Sequence, residues 1–339
     1  MARWRVMLVG CGYIAPFHLA AWRGLNNVEV IAVCDLDEKK ARERADTFGV
    51  ERVLTDYETA IRELEPDVVD VATPPATHPE IIEAAAAGGA HVLCQKPFAE
   101  SLREADRMIT TCARAGVRLM VNENLRWSRV YRELRALLDQ GTLGEPYYLQ
   151  IIRDRLFLGK PLFPDQPFIR DMPRAMLYEV GIHFVDCVRF LLGEIESVHC
   201  RMRRINPQMR GEDVIVLSLN LVGGQVGIVK ADWCSRQRND AIAESIRLSG
   251  TEGTVVVSDD GRMSLLLNDG RTIEQGTFDE TYLEGQAFPR AHAHFIRGLE
   301  TGEPFETDGR DNRRTLAAVL AGYESAERQA VVRPDGGES

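Results

Sequence analysis

Arg5-Val6-Met7-Leu8-Val9-Gly10-Cys11-Gly12-Tyr13-Ile14-Ala15 is the stretch on which the fold turns. A short apolar run ends in Gly-x-Gly-x-x-Ala, and that order reads as a strand, a tight turn and the start of a helix. Gly10 permits the turn, Gly12 lets the backbone come close to a pyrophosphate at the helix N-terminus, and Ala15 lets the helix lie on the strand. The next apolar run, Val28 to Cys34, is followed at once by Asp35, twenty residues beyond Ala15. An acid there accepts hydrogen bonds from a ribose 2′-hydroxyl. A 2′-phosphate would meet its like charge, with Asp37 close by and no arginine in Cys34-Asp35-Leu36-Asp37 to offset it. Gly10, Cys11, Gly12, Tyr13, Ile14 and Asp35 are therefore the expected contacts of a dinucleotide, NAD in preference to NADP. The plainer alternative is a tight turn that holds no ligand.

Outward from that turn, apolar runs alternate with amphipathic stretches, the pattern of βαβ units in a parallel sheet. Strands are expected at Arg5 to Val9, Val28 to Cys34, Arg52 to Leu54, Asp67 to Ala72, His91 to Cys94 and Arg118 to Val121. Helices fall between them at Asp37 to Phe48, Tyr57 to Leu64, Thr77 to Ala87 and Ser101 to Ala115, with Gly49, Gly88 and Gly116 as C-terminal caps. This spells an α/β protein whose residues 1–123 form a doubly wound, parallel Rossmann domain. The texture then changes to a helix up to about Gln140, the turn Gly141-Thr142-Leu143-Gly144, a Pro-rich loop from Leu158 to Pro173 and a helix from Met176 to Leu192. β-like runs follow at Ser197 to Ile205, Asp213 to Leu221, Gln225 to Trp233, Ala243 to Leu248, Thr254 to Ser258 and Met263 to Leu267. Hairpin turns such as Val222-Gly223-Gly224 and Gly250-Thr251-Glu252-Gly253 join them, and helices from Gln286 to Glu300 and Asp308 to Gln329 close the chain. Residues 124–332 are thus expected to form an α+β domain with a large, mainly antiparallel sheet, and 333–339 a frayed tail.

The 339 residues carry a net charge of −10, without the basic face that a phosphate backbone requires, so nucleic acid is not an expected partner. Cys11, Cys34, Cys94, Cys112, Cys187, Cys200 and Cys234 include no Cys-x-x-Cys pair and read as reduced core residues of a cytoplasmic protein. The first apolar run is cut by Gly10 and Gly12 before it reaches the length of a secretion signal, and no stretch approaches a membrane span.

Lys96 closes the fifth strand in Cys94-Gln95-Lys96-Pro97-Phe98, at the carboxyl edge where open α/β sheets bind ligands. Thr73-Pro74-Pro75, directly after the fourth strand, would wall a cofactor. His78, opening the next helix beside that wall, is expected as a cofactor contact; as a type it is more often a capping or packing residue than a catalyst. Oxidation of a carbinol needs a group that takes the hydroxyl proton and a donor or cation that stabilises the alkoxide. Lys96 and His183 can supply these two functions. In Tyr178-Glu179-Val180-Gly181-Ile182-His183-Phe184-Val185-Asp186, helical spacing puts Glu179, His183 and Asp186 on one stripe. Leu177, Val180, Phe184, Val188 and Leu191 make another. The polar stripe is expected to face a cleft, with Glu179 orienting the imidazole; the plainer reading is an exposed ion pair worth about 0.3 kcal/mol. Gly181 costs the helix roughly 1 kcal/mol relative to alanine, so something is expected to pack against its backbone. A metal held by Glu179, His183 and Asp186 is a weaker rival, since no His-Glu-x-x-His pattern accompanies them, and no metal is expected. His292 and His294 flank Ala293 and read as surface or core residues.

Together these residues resemble the glucose-fructose oxidoreductase, inositol dehydrogenase and rhizopine-catabolism (GFO/IDH/MocA) family. The similar motifs come in order: the N-terminal turn, Thr73-Pro74 with His78, Ala87-Gly88-Gly89-Ala90-His91-Val92, and Lys96-Pro97. Val121-Asn122-Glu123-Asn124-Leu125-Arg126-Trp127 and Gly181-Ile182-His183 with Asp186 follow. The resemblance implies an NAD-dependent sugar or polyol dehydrogenase with Lys96 and His183 as catalytic pair, Asn124 near the nicotinamide, and a homodimer or homotetramer formed through the second sheet. Two positions depart from the family pattern: Gln95 stands where glutamate usually precedes the lysine, and Glu179 where aspartate usually precedes the histidine. Gln95 can still hydrogen-bond a ribose hydroxyl.

Cys94-Gln95-Lys96-Pro97-Phe98-Ala99, Asn122 to Trp127 and Gly181-Ile182-His183 look like the branch that oxidises the pentose D-apiose to its lactone. On that footing Arg126, Trp127, Arg155 and Arg170 line the substrate cleft beside Lys96 and His183, under the loop from Leu158 to Pro173. Trp127 offers a platform for a sugar face and the arginines offer donors. The same arginines suit a carboxylate, so a sugar-acid dehydrogenase remains a rival. A lyase or hydrolase of the family that cycles NAD is a further reading, and a non-catalytic NAD-binding regulator another. Retention of Lys96 and His183 speaks against the regulator.

Overall fold

The computed structural model describes residues 3–155, 163, 166–235, 243–278 and 286–334. In the amino-terminal part, strands β1 (Trp4–Val9), β2 (Val28–Cys34), β3 (Arg52–Leu54), β4 (Val68–Val71), β5 (His91–Gln95) and β6 (Leu119–Asn122) alternate with helices α1 (Ala15–Arg23), α2 (Glu38–Phe48), α3 (Tyr57–Leu64), α4 (His78–Ala87) and α5 (Leu102–Ala115). The strands form one parallel sheet in the order β3-β2-β1-β4-β5-β6. Each expected strand is present, displaced by no more than a residue or so at its ends. Val6 to Val9 and Val68 to Val71 are buried throughout, as strands covered on both faces must be. Asp37, Asp56 and Ser101 cap α2, α3 and α5 by accepting N–H bonds from their first turns. Gly49 and Gly116 end α2 and α5 in the left-handed conformation. The strand order reverses between β1 and β4, which opens a ligand crevice outside their carboxyl ends.

The second part holds α6 (Arg129–Asp139), β7 (Pro146–Asp154), a short α7 (Phe168–Asp171), α8 (Ile182–Leu192), β8 (Ile195–Arg203), β9 (Val214–Leu221), β10 (Val226–Asp232), β11 (Ala243–Gly250), β12 (Gly253–Val257), β13 (Arg262–Leu267) and β14 (Thr272–Thr277). Its sheet runs β14-β13-β12-β11-β7-β10-β9-β8, antiparallel except where β7 meets β10. β7 and β14 are additional to the strands expected from the apolar runs. β7 starts at Pro146 and ends in Arg153-Asp154, so its alternation is confined to Leu149 and Ile151, and its neighbours β10 and β11 lie far along the chain. One face of this sheet is buried through Leu149, Ile151, Leu217, Leu219, Val229 and Leu248. The opposite face carries Tyr148, Ile152, Val216, Ile228 and Arg247, none of them buried.

A second correction concerns the helix expected from Met176. Met176–Gly181 is wound as a π-helix, and regular α-helix begins only at Ile182. The cause lies in its partners: Glu212 collects the first N–H groups, and a Cβ at Gly181 would come within 2.9 Å of Ile215 Cδ1 and Leu177 Cδ1. The close neighbour expected at Gly181 is therefore real.

Helices α9 (Ala287–Thr301) and α10 (Gly309–Arg328) close the chain. The chain divides into two units, 1–127 with 282–316, and 128–281 with 317–339. The expected boundaries at 123 and 332 differ from this division, which returns α9 to the first unit. Ala287, Ala291 and Phe295 join Trp22, Leu93 and Trp127 in one core cluster there. Thr307 exchanges backbone and side-chain hydrogen bonds with Val121 and covers the β6 edge. Of the expected tail, 335–339 lies outside the described residues.

Candidate active site

The glycine turn is built as its sequence requires. Gly10 has φ +99°, and a Cβ there would sit 2.5 Å from Ala72 O, so no other residue fits between β1 and β4. A Cβ at Gly12 would meet nothing within 4 Å, which marks open space where a pyrophosphate can approach. Above it, α1 starts at Ala15 with Pro16 in its first turn and no side-chain cap, so its N–H dipoles face the same opening. Asp35 accepts hydrogen bonds from Cys11 N at 2.7 Å and Asp37 N at 2.8 Å, tying the turn to the end of β2. Each carboxylate oxygen keeps a further acceptor site for a ribose hydroxyl. One residue the local reading missed is Arg44, whose guanidinium reaches from α2 to Cys11 O at 3.3 Å and Gly12 O at 3.4 Å. The short window around Asp35 holds no arginine, but the fold delivers one. Tyr13 and Ile14 lie half-buried on the turn, Tyr13 against Phe17. Burial first, and then the Asp35 charge, push the Cys11 thiol up to about 12, which keeps it protonated and inert. All seven cysteines are free thiols, six of them buried, as core residues should be.

Thr73 and Pro74 follow β4 on the same edge, half-buried and exposed respectively. His78, expected as a cofactor contact, is fully buried. Its ring spans Thr73 O at 2.9 Å and Phe98 O at 3.0 Å, with Cys94 Sγ 3.3 Å from Nδ1. It is a strut between the loops that follow β4 and β5. Burial lowers its pKa below the ordinary imidazole value despite the two carbonyls. Gln95 ends β5 and Lys96 follows it, both with little exposure, and a cis peptide joins Lys96 to Pro97. Gln95 Oε1 accepts from Asn122 Nδ2 at 3.1 Å. Asn124, just past β6, is completely buried, and both polar atoms of its amide lack a partner among the described residues. An orphaned amide is costly unless a ligand completes it. These features fit a dinucleotide: Gly10 to Ile14 and Asp35 would hold its adenosine and pyrophosphate end, and Asn124 would pair with a polar group at the other.

In the second unit, His183 is 2% exposed and Asp186 wholly buried, while Glu179 is half-buried. The expectation of one open polar stripe is therefore corrected for His183 and Asp186, which the helix turns inward. The assumed spacing of Glu179 and His183 crosses the change from π to α winding. Glu212 and Tyr323 anchor this segment, and sequence reasoning missed both. Glu212 accepts from Ala175 N at 3.2 Å, Leu177 N at 2.9 Å and Tyr323 O–H at 2.6 Å. Tyr323 in turn accepts from Tyr178 N at 3.1 Å. Orphan N–H groups at a helix start usually find a cap next to them in sequence; here the cap arrives from another element.

Two of the expected substrate residues have other tasks. Arg126 is buried, donating to Glu306 O at 3.0 Å and pairing with Asp311 at 3.3 Å. Trp127 packs in the first unit's core, its ring 4.6 Å from that of His294. Both are consumed by internal packing, because the residues after β6 turn inward. Arg155 and Arg170 are exposed, and Arg170 pairs with Asp171. Of the loop expected to cover the site, 158–162 and 164–165 lie outside the described residues. His292 and His294 are both buried, which selects the core reading of this pair.

A glycine turn open at Gly12, a bare helix terminus and an acid at the end of β2 define a dinucleotide-binding Rossmann protein. Residues 4–123 match the oxidoreductase family GFO/IDH/MocA, NAD-binding Rossmann fold, and residues 131–256 match the GFO/IDH/MocA C-terminal domain. The chain belongs to the GFO/IDH/MocA family. It is 33% identical to D-apiose dehydrogenase of Paraburkholderia graminis, over 97% of this chain and 89% of that protein. The D-apiose dehydrogenase of Rhizobium rhizogenes is also 33% identical, over 94% of each chain. A solved oxidoreductase from Agrobacterium radiobacter, in complex with NAD+, L-tartaric acid and magnesium, superposes with a TM-score of 0.92 at 30% identity over 98% of both chains. The protein is thus an NAD-dependent oxidoreductase acting on CH–OH groups. Among the described residues no helix is long and apolar enough to cross a membrane.

Proposed function

We propose that the protein oxidises a carbinol of a small, uncharged sugar, in the first place D-apiose at its anomeric carbon to the lactone. The supporting observation is the near-buried Lys96 at the carboxyl edge of the sheet that carries the Gly10–Gly12 turn, in a chain that matches D-apiose dehydrogenases along almost its whole length. NAD, when bound, supplies the hydride acceptor. His183 takes the hydroxyl proton, since imidazole is the side chain whose ordinary titration falls near neutral pH. Lys96 donates to the same oxygen and stabilises the alkoxide as it forms. Glu179 steadies the imidazole, and Gln95 and Asn124 hold the nicotinamide end. Lys96→Ala and His183→Ala are each expected to lower kcat at least about a hundredfold while NAD still binds. Loss of NAD binding in step with kcat would instead mark the residue as structural.

One observation favours a second reading, a sugar-acid dehydrogenase: the 30% identical oxidoreductase is held with L-tartaric acid. A panel of aldoses, inositols and sugar acids at matched NAD decides between them. Turnover confined to the acids would overturn the neutral-sugar reading, and activity on pentoses but not D-apiose would overturn only the narrower one. We also propose a homo-oligomer formed through the open face of the second sheet, where Val216 is 44% exposed.

A further inference from the structure

Behind the carboxyl edge of the first sheet lies a buried ionic group with no place in the chemistry described so far. Asp70, on β4, is wholly buried. Its Oδ2 accepts from Trp22 Nε1 at 2.6 Å and lies 2.8 Å from His18 Nδ1, with Oδ1 at 3.0 Å from the same nitrogen. His292, reaching in from α9, brings Nε2 to 3.9 Å from Oδ2 and turns Nδ1 to Phe288 O. Burial alone would raise the Asp70 carboxyl, but the adjoining His18 charge and hydrogen bond hold it well below the usual carboxylate range. His18, Asp70 and His292 offer donor atoms within 4.8 Å of one another, close enough to share a metal ion. The direct His18–Asp70 contact and the indole N–H already occupy that place, so a proton takes the role an ion would have.

The far side of His18 points at the cofactor edge. Its Nε2 lies 3.2 Å from Gln95 Oε1, the oxygen that also accepts from Asn122 Nδ2. Asp70 is an acceptor only, so Nδ1 donates to it; Nε2 also lies 3.4 Å from Asn122 Nδ2, itself a donor, but its shorter contact is to the acceptor Gln95 Oε1, and there it donates. The amide oxygen is thus held from inside by two donors. The other end of the amide, Gln95 Nε2, makes no hydrogen bond among the described residues, and Gln95 adjoins Lys96.

We propose that the Asp70–His18 pair is a positioning device: it turns the Gln95 amide so that Nε2 is the outward end, a hydrogen-bond donor to an oxygen of bound NAD. The proposal rests on the reading of the Gln95–Lys96 edge as part of the NAD site. Without the Asp70 charge, His18 is no longer required to carry a proton on Nε2. The amide then reverses to donate inward, and a lone pair replaces the donor that faces the ligand. Neither Asp70 nor His18 touches NAD in this scheme; both act through Gln95.

A double-mutant cycle between positions 70 and 95, read as NAD affinity with no sugar present, tests this. Asp70→Asn keeps the shape and an acceptor for Trp22, and should weaken NAD binding about tenfold, the worth of one well-placed hydrogen bond. In the Gln95→Met background the same change should weaken it less than about twofold, because the path runs through the amide. Equal losses in both backgrounds would show that Asp70 merely supports the fold, and an unchanged Kd in Asp70→Asn would equally overturn the proposal. Should Asp70→Asn fail to fold, His18→Asn takes its place in the cycle with the same two outcomes. A wrong assignment of the sugar leaves this measurement untouched, whereas the panel of aldoses, inositols and sugar acids reports on that assignment alone.

Discussion

Asp35 is committed before any ligand arrives, and that changes what its replacement should do. Its oxygens hold Cys11 N and Asp37 N, so Asp35→Ser loosens the glycine turn as well as removing a ribose acceptor. The native enzyme should show a higher kcat/KM with NAD than with NADP. In Asp35→Ser the gap should narrow from both sides, since NAD loses its partner and Arg44 meets a 2′-phosphate unopposed. Steady-state kinetics with both cofactors check this, and a native preference for NADP would refute it. His78 and His292 carry a second residue-scale expectation. Burial lowers the pKa of both, so the unfolded chain takes up protons near the ordinary imidazole value of about 6.5 while the folded chain resists. Their contribution to stability is complete above that pH and drains away as pH falls below it. Melting temperatures measured from pH 8 down to pH 5 should decline in that lower window, and a flat profile would contradict the assignment.

At the scale of elements, the segment that presents His183 is held by a remote carboxylate. Glu212→Ala would strand buried N–H groups at Ala175 and Leu177, at a cost of about 1–3 kcal/mol. In a unit of this size that lowers the melting temperature by about 2–4 °C per kcal/mol, and Glu212→Gln, which keeps an acceptor, should lose less. Thermal denaturation of the two variants side by side is the check, and equal losses would show that the capping bonds are not the cause. This anchoring was not legible beforehand. A periodic apolar pattern announces a helix, but the choice between π and α winding depends on who receives the first N–H groups. Gly181 alone signalled that a neighbour pressed on the backbone, and Ile215 and Leu177 are those neighbours.

For the molecule as a whole, the open face of the second sheet supports the proposed assembly. Light scattering should return a mass above that of one 38.0 kDa chain, and Val216→Glu should shift it downward by placing charge on that face. A monomer in the native protein would end the proposal. Ligand binding supplies an independent global readout. NAD at a hundred times its Kd should stabilise the fold by about 2.7 kcal/mol, seen as a rise in melting temperature, and absence of any rise would argue against a site preformed around Gly12 and Asn124.

The Rossmann half, its glycine turn and the capped helices are legible along the chain, because those depend on residues a few positions apart. Gly10 answers to its own φ, Asp37 caps the helix it precedes, and Asp35 stands where its strand ends. Which polar side chains face inward is settled by packing between distant segments. Trp127 and Arg126 looked available for a sugar, yet Asp311, Glu306 and His294 claim them from the far end of the chain. β7 became the middle of its sheet through partners that its own sequence does not name. His18, Asp70 and Gln95 come from three separate elements, and the hydrogen bonds between them exist only because the strand order lays those elements side by side. Local geometry is encoded by neighbours in sequence, but the partner of a buried polar group is set by packing across the fold, where leaving it unmade would cost more than the fold can spare.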